Sequence, residues 1–127
     1  MKYKEITHQI IGSAMKVHSV LGNGLEEIIY QRALSIEMKN QGLSFKPEVE
    51  MTVFYKGTDV GTQKIDFLIE DQIMVELKVL IKLDDLHLSQ TMNYCQAYHL
   101  PVGLLINFGS KSLEYKRVYN VHHPENV

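Results

Sequence analysis

Residues 63–81, QKIDFLIEDQIMVELKVLI, contain two apolar runs, 63–69 and 73–81, separated by the polar triplet Glu70-Asp71-Gln72. Runs of this length and composition read as strands, and the triplet as the loop of a hairpin. In that register Asp66 lies opposite Glu76, and opposed side chains stand roughly 5 Å apart at Cβ. Lys78 follows Glu76 by two residues, so both side chains share one face. The second run is otherwise apolar, with Ile73, Met74, Val75, Leu77, Val79 and Leu80. Such a strand belongs in the middle of a sheet, where an unpartnered charge is costly.

Working outward, Ile6, Ile10, Ala14, Val17 and Leu21 recur at helical spacing over residues 4–21, and Gly22-Asn23-Gly24 ends that helix. A second helix is expected over residues 25–40, with Ile29, Ala33 and Ile36 on its buried side and Gly42 as its stop. Asn23 is placed to cap it, with Glu26 as the capping-box partner. Residues 48–55 alternate in polarity as a half-buried strand does, and 56–59 read as a turn. Asp84 or Asp85 can cap a third helix that ends near His99, because Leu100-Pro101 forbids continuation. Residues 102–106 are apolar on both faces and suggest an interior strand; 113–121 give the last one. The order ααβββαββ predicts an α/β fold in which helices pack on a mixed central sheet.

The chain has 127 residues, 45% of them hydrophobic, which supports a single domain over 1–127 with one core of its own. A charged fraction of 22% argues against disorder. No run approaches the roughly 20 apolar residues of a membrane span, and the N-terminus is not a secretory signal. The single cysteine, Cys95, excludes an internal disulfide and fits a cytoplasmic protein. It occupies an apolar helical position and reads as packing. Thirteen basic residues against 15 acidic ones give a formal net charge of −2, which lacks the strong basic excess of many nucleic-acid-binding domains.

Two facing carboxylates repel each other and raise a pKa unless a cation lies between them. Mg²⁺ is commonly held by one or two carboxylates together with substrate phosphate oxygens. Lys78 can then orient a water for attack on phosphorus. A D-x9-E-x-K string by itself is more often a cross-strand ion pair on a wet sheet face; the apolar strand around it argues for the site.

A second loaded segment is Gly24-Leu25-Glu26-Glu27-Ile28-Ile29-Tyr30, where Glu27 and Tyr30 share a helical face. Gly24-x-x-Glu27-x-x-Tyr30, Asp66, Glu76-x-Lys78 and Leu105-Ile106-Asn107-Phe108-Gly109 occur in that order. The set resembles the GxxExxY protein family of the PD-(D/E)XK nuclease-like superfamily over nearly the whole chain. Ile65 stands where the superfamily's name expects proline. The resemblance implies a restriction-endonuclease-like core of a helix, three strands, a helix and a strand. It implies metal binding by Asp66, Glu76 and Glu27 with the carbonyl of Leu77, and a catalytic role for these three acids with Lys78. Gln90 looks like a glutamine that relatives place on the following helix, with Tyr94 one turn later.

Tyr30 can stack on a base or bond a site carboxylate; it can equally be a helix aromatic with a wet hydroxyl. Lys82, and more remotely Lys111, Lys116 and Arg117, can meet phosphates. His87 shares the polar stripe of Gln90 and Tyr94 but suits a magnesium site poorly. His122-His123 reads as a solvated tail.

The leading expectation is a Mg²⁺-dependent nuclease, with Mn²⁺ as a possible substitute, acting on nucleic acid and specifically DNA, as a possible homodimer. A binding module that keeps the fold without catalysis is the alternative, and a junction-resolving nuclease ranks below both. Three acids in a metal pocket would account for part of the acidity, so nucleic acid should bind weakly unless metal is present.

Overall fold

The computed structural model describes residues 3–126. Helix α1 spans Lys4–Leu21 and α2 spans Glu27–Asn40. Three strands follow, β1 (Phe45–Tyr55), β2 (Thr58–Ile69) and β3 (Ile73–Lys78). Helix α3 (Asp85–Ala97) leads to β4 (Val102–Asn107) and β5 (Glu114–Tyr119). The chain is thus an α/β domain of order ααβββαββ, closed by a short 3₁₀ turn at Pro124–Asn126.

The five strands lie in the order β1-β2-β3-β4-β5. β3 is central and runs parallel to β4, while the other pairings are antiparallel. A parallel neighbour requires a crossover, which α3 supplies. Alternate residues of β3 face opposite layers. Val75 and Leu77 join Phe67, Leu104 and Ile106 in the core under α1 and α2. Met74 joins Ile65, Cys95, Tyr98 and Leu100 in a smaller core on the α3 side. Glu76 and Lys78 have the parity of Met74 and so belong to the α3 side.

Helix α2 departs from expectation in its rotation. Its fully buried residues are Tyr30, Leu34 and Met38, whereas Ile29 and Ile36 are 40% and 62% exposed. The helix is apolar on two faces, so periodicity alone left its rotation open. The ring of Tyr30 resolves it by stacking on Phe108, with centroids 4.6 Å apart and planes 12° from parallel. The capping box is also absent. Glu26 is itself the N-cap residue, without a side-chain cap bond, and Asn23 donates instead to the carbonyl of Gly109.

β1 and β2 are longer than expected because the turn is only Lys56-Gly57, both at positive φ. They stay paired from Phe45↔Ile69 to Tyr55↔Thr58, while β2 pairs with β3 only through 67–69. Their distal half is therefore a two-stranded ribbon, with Phe54, Tyr55 and Val60 exposed near its tip. β3 ends at Lys78, short of the expected 81, where Asn107 captures the backbone of Leu80. The side chain of Asp84 caps α3 by accepting from the amide of His87. Among the described residues, no helix is long and apolar enough to cross a membrane.

α3 approaches β4 closely at Gly103, where an added Cβ would stand 2.7 Å from Thr91 Cγ2 and 2.8 Å from Cys95 Sγ. Gly103→Ala should therefore destabilise the fold by about 1–3 kcal/mol, the usual cost of overpacking. A chemical denaturation curve with unchanged m-value but lower midpoint would bear this out; an unchanged midpoint would contradict it.

Candidate active site

The β2–β3 ladder runs through Phe67↔Val75 and then stops. One position further on, the strands are bridged by side chains. Asp66 Oδ2 accepts from the amide of Leu77 at 2.7 Å, and Glu76 Oε1 accepts from the amide of Asp66 at 3.2 Å. The two carboxylates thus satisfy backbone amides at the point where the regular ladder ends. Each keeps a second oxygen outside this pair of bonds.

Burial and mutual repulsion give the notch its electrostatic character. Glu76 is only 9% exposed. Desolvation first, and then the charge of Asp66, push its pKa up to about 8. Asp66 is raised by desolvation, against the opposing effects of the Leu77 amide and Lys78. Glu27, the first residue of α2, is raised by partial desolvation and the charge of Asp66, and lowered by Lys78. All four expected catalytic side chains therefore lie within electrostatic reach of one another. Glu27 is solvent-exposed. Among the described residues, no three His, Cys, Asp or Glu side chains are grouped closely enough to hold one ion. The preformed part of the site is the Asp66–Glu76 pair.

This pair fits a hard divalent cation. Its donors are all oxygen, and both pKa values are raised, first by burial and for Glu76 also by the charge of Asp66. A site with two carboxylates suits Mg²⁺, which keeps several waters and dislikes complete protein cages. Within a strand the N–H and C=O of one residue point to the same side. The Leu77 amide points at Asp66, so its carbonyl faces the fork as well. The next carbonyl, of Lys78, points the other way and accepts from Phe108 at 2.9 Å.

The remaining candidates divide. Tyr30 is fully buried. Its hydroxyl donates to the Gly22 carbonyl at 2.6 Å and accepts from the Leu25 amide at 3.2 Å. It therefore offers no face to a base and its hydroxyl is not wet, which corrects both expectations. Gln90 and Lys82 are exposed, and Lys82 lies near Glu114, whose carboxyl it helps to hold low. Tyr94 is half-buried, and its hydroxyl donates to Gln63 on β2 at 3.3 Å. Arg117 is committed to α1, donating to Thr7 Oγ1 at 2.8 Å. His87 is held by Asp84 at the cap of α3. Burial pushes the Cys95 thiol up to about 12, in keeping with packing.

Two neighbours of the notch escaped the sequence reading. Glu48, at φ 52°, lies on β1 between the pairs Pro47↔Phe67 and Val49↔Ile65, across from Asp66, and helps to raise Asp66. Tyr98 has a buried hydroxyl without a hydrogen-bond partner, and its pKa is raised by burial, by Tyr94 and by Glu76. The Tyr94–Tyr98 spacing of four, which stacks the two rings 6.0 Å apart, was its one visible signal.

Comparison with known proteins agrees with the fold. The model of a family described as the PD-(D/E)XK nuclease superfamily matches residues 4–118. The crystal structure of SSO0001 superposes with a TM-score of 0.57 at 17% identity, covering 93% of this chain. The match takes in 60% of that longer chain, and at this identity it speaks for the fold alone. No curated protein matches the sequence significantly.

The Glu76 shift predicts an inverted pH dependence for the metal-free protein. Between the ordinary value of 4.5 and about 8, the folded chain retains a proton that the unfolded chain has released. The stability linked to this proton is complete below 4.5 and is lost as pH rises through about 8. Thermal melts in a chelator should therefore show a falling midpoint from pH 5 to 8.5, with the slope reduced in Glu76→Gln. A midpoint that rises over this range in the wild type alone would contradict the assignment.

Proposed function

The chain belongs to the PD-(D/E)XK nuclease superfamily, and we propose that it is a Mg²⁺-dependent nuclease that hydrolyses phosphodiester bonds in DNA. Nucleases of this superfamily generally use divalent metal ions. The observation that carries the reading is the exchange of hydrogen bonds between Asp66 and Glu76 across the open β2–β3 fork. It supports a buried two-carboxylate notch with Lys78 beside it. Gly24, Glu27 and Tyr30 further support placement in the GxxExxY group.

In this reading Asp66 and Glu76 hold the ion, the Leu77 carbonyl completes the protein's share, and Glu27 contributes from the start of α2. A bound Mg²⁺ supplies charge stabilisation and lowers the pKa of water. Lys78, beside the carboxylates, donates hydrogen bonds to the attacking water or a phosphate oxygen, and so fixes the line of attack. Gln90 and Lys82, both exposed, are available to phosphates on the α3 side, while Tyr94 shapes the wall between α3 and β2. Tyr98 presents a buried hydroxyl to the same region and is available to a site water.

The purified protein, incubated with single-stranded, duplex and branched DNA and with RNA, should cleave DNA only in the presence of Mg²⁺ or Mn²⁺. Glu76→Ala and Lys78→Ala should each lower the cleavage rate by ~10²-fold or more, the scale of removing an electrostatic stabiliser. Unchanged cleavage in Lys78→Ala would contradict the mechanism. Metal-independent DNA binding without cleavage of any substrate would favour a binding module instead.

A further inference from the structure

We propose that Tyr30 and Asn107 are positioning residues of the metal site. Together they lock the turn that launches α2 onto the turn that follows β4, so that Glu27 and Lys78 approach Asp66 and Glu76 as one unit. The inference rests on the reading of the notch as a metal site.

The need for such a lock begins at the start of α2. Glu27 is the first residue of a helix whose N-cap, Glu26, makes no side-chain cap bond. The direction in which Glu27 leaves the helix is therefore fixed from elsewhere. Tyr30, one turn on, supplies the constraint. Its hydroxyl joins Gly22 to Leu25 and closes the preceding turn, while its ring lies flat on Phe108. Two further bonds dock the same region on the same partner. Asn23 donates to the Gly109 carbonyl at 3.3 Å, and His18 Nε2 lies 3.0 Å from the Ser110 carbonyl.

The other half of the joint starts at Lys78, whose register partner on β4 is Asn107. The amide oxygen of Asn107 accepts from Leu80 at 2.8 Å and from Gly109 at 3.0 Å. Its nitrogen donates to the Leu80 carbonyl at 3.0 Å and to Glu114 Oε1 at 2.9 Å. Two acceptor sites and two donors exhaust what an asparagine side chain has. Glu114 Oε1 also accepts from the Leu83 amide at 2.9 Å, so the chain leaving Lys78 is tied to β4 and β5 at successive points. Gly109 is required here, because a Cβ would stand 2.4 Å from Leu80 N.

Phe108 sits between these halves. Its amide holds the Lys78 carbonyl and its ring holds Tyr30. The segment that aims Lys78 and the segment that aims Glu27 thus meet on one residue. This explains why Gly24-x-x-Glu27-x-x-Tyr30 and Asn107-Phe108-Gly109 occur in one chain. Each is half of a joint, and Glu27 and Lys78, which the two halves aim, both have an electrostatic effect on Glu76.

Mg²⁺ binding to the whole chain, measured by calorimetry without nucleic acid, tests the proposal. Tyr30→Phe keeps the stacked ring but removes two hydrogen bonds, and should weaken Mg²⁺ binding by about tenfold, as loss of a residue that orients a ligand does. Glu27→Gln should weaken it comparably, and the double variant should bind no worse than Glu27→Gln alone. Asn107→Ser should also weaken binding. Leu34→Ala, on the same buried helix face, should lower the melting temperature at least as much as Tyr30→Phe yet bind Mg²⁺ normally. Wild-type affinity in Tyr30→Phe, full additivity with Glu27→Gln, or equal weakening in Leu34→Ala would overturn the positioning role while leaving the metal site standing. A wild-type chain that binds no Mg²⁺ would remove both.

Discussion

The architecture of the site depends on the failure of one backbone ladder. β2 and β3 share three register pairs, and beyond Phe67↔Val75 the amides of Asp66 and Leu77 are met by side chains. A buried amide without an acceptor costs about 1–3 kcal/mol. The two carboxylates fill that need by bonding each other's strand. Holding the fork in shape and concentrating negative charge at its mouth are therefore one arrangement. Removing either acid leaves the opposite strand with an unsatisfied amide, so fold and chemistry are coupled from the start.

The rest of the molecule is organised around that opening. β2 is released from β3 at the fork, and its continuation with β1 becomes the exposed ribbon. β3 continues only on its other side, through parallel pairing with β4 as far as Lys78↔Asn107. The central strand thus has an open flank at Glu76 and a firmly held flank at Leu105. Burial on the α3 side raises Glu76, while the start of α2 brings Glu27 within electrostatic reach of it. A net charge of −2 is in this light partly a property of the notch. Asp66 and Glu76 face one another with Glu27 within electrostatic reach, and a divalent ion bound there would bring the formal charge near zero.

Much of this was legible in the chain because the decisive signals are local. Alternation and turn residues placed the strands, Asp84 and Leu100-Pro101 bounded α3, and the nine-residue spacing between Asp66 and Glu76 set them opposite each other. The rotation of α2 was not legible. Ile29 and Ile36 looked as buriable as Tyr30 and Leu34, and a ring contact with Phe108, 78 positions away, decided between them. The role of Tyr30 was missed for the same reason, since hydroxyl bonds to Gly22 and Leu25 leave no pattern in composition. Asn107 did leave a faint trace as the one polar residue closing Val102–Asn107. The left-handed backbone at Glu48 left none, because no glycine or asparagine among residues 46–50 marks it.

The central claim is that Asp66 and Glu76 form a cation site at the fork. The most direct measurement is an anomalous difference map from crystals grown in Mn²⁺, an ion that shares the preference of Mg²⁺ for oxygen ligands. A single strong peak between the Asp66 and Glu76 carboxylates, absent in Glu76→Gln, is the predicted result. Crystals saturated with Mn²⁺ in which the notch shows no peak would contradict it.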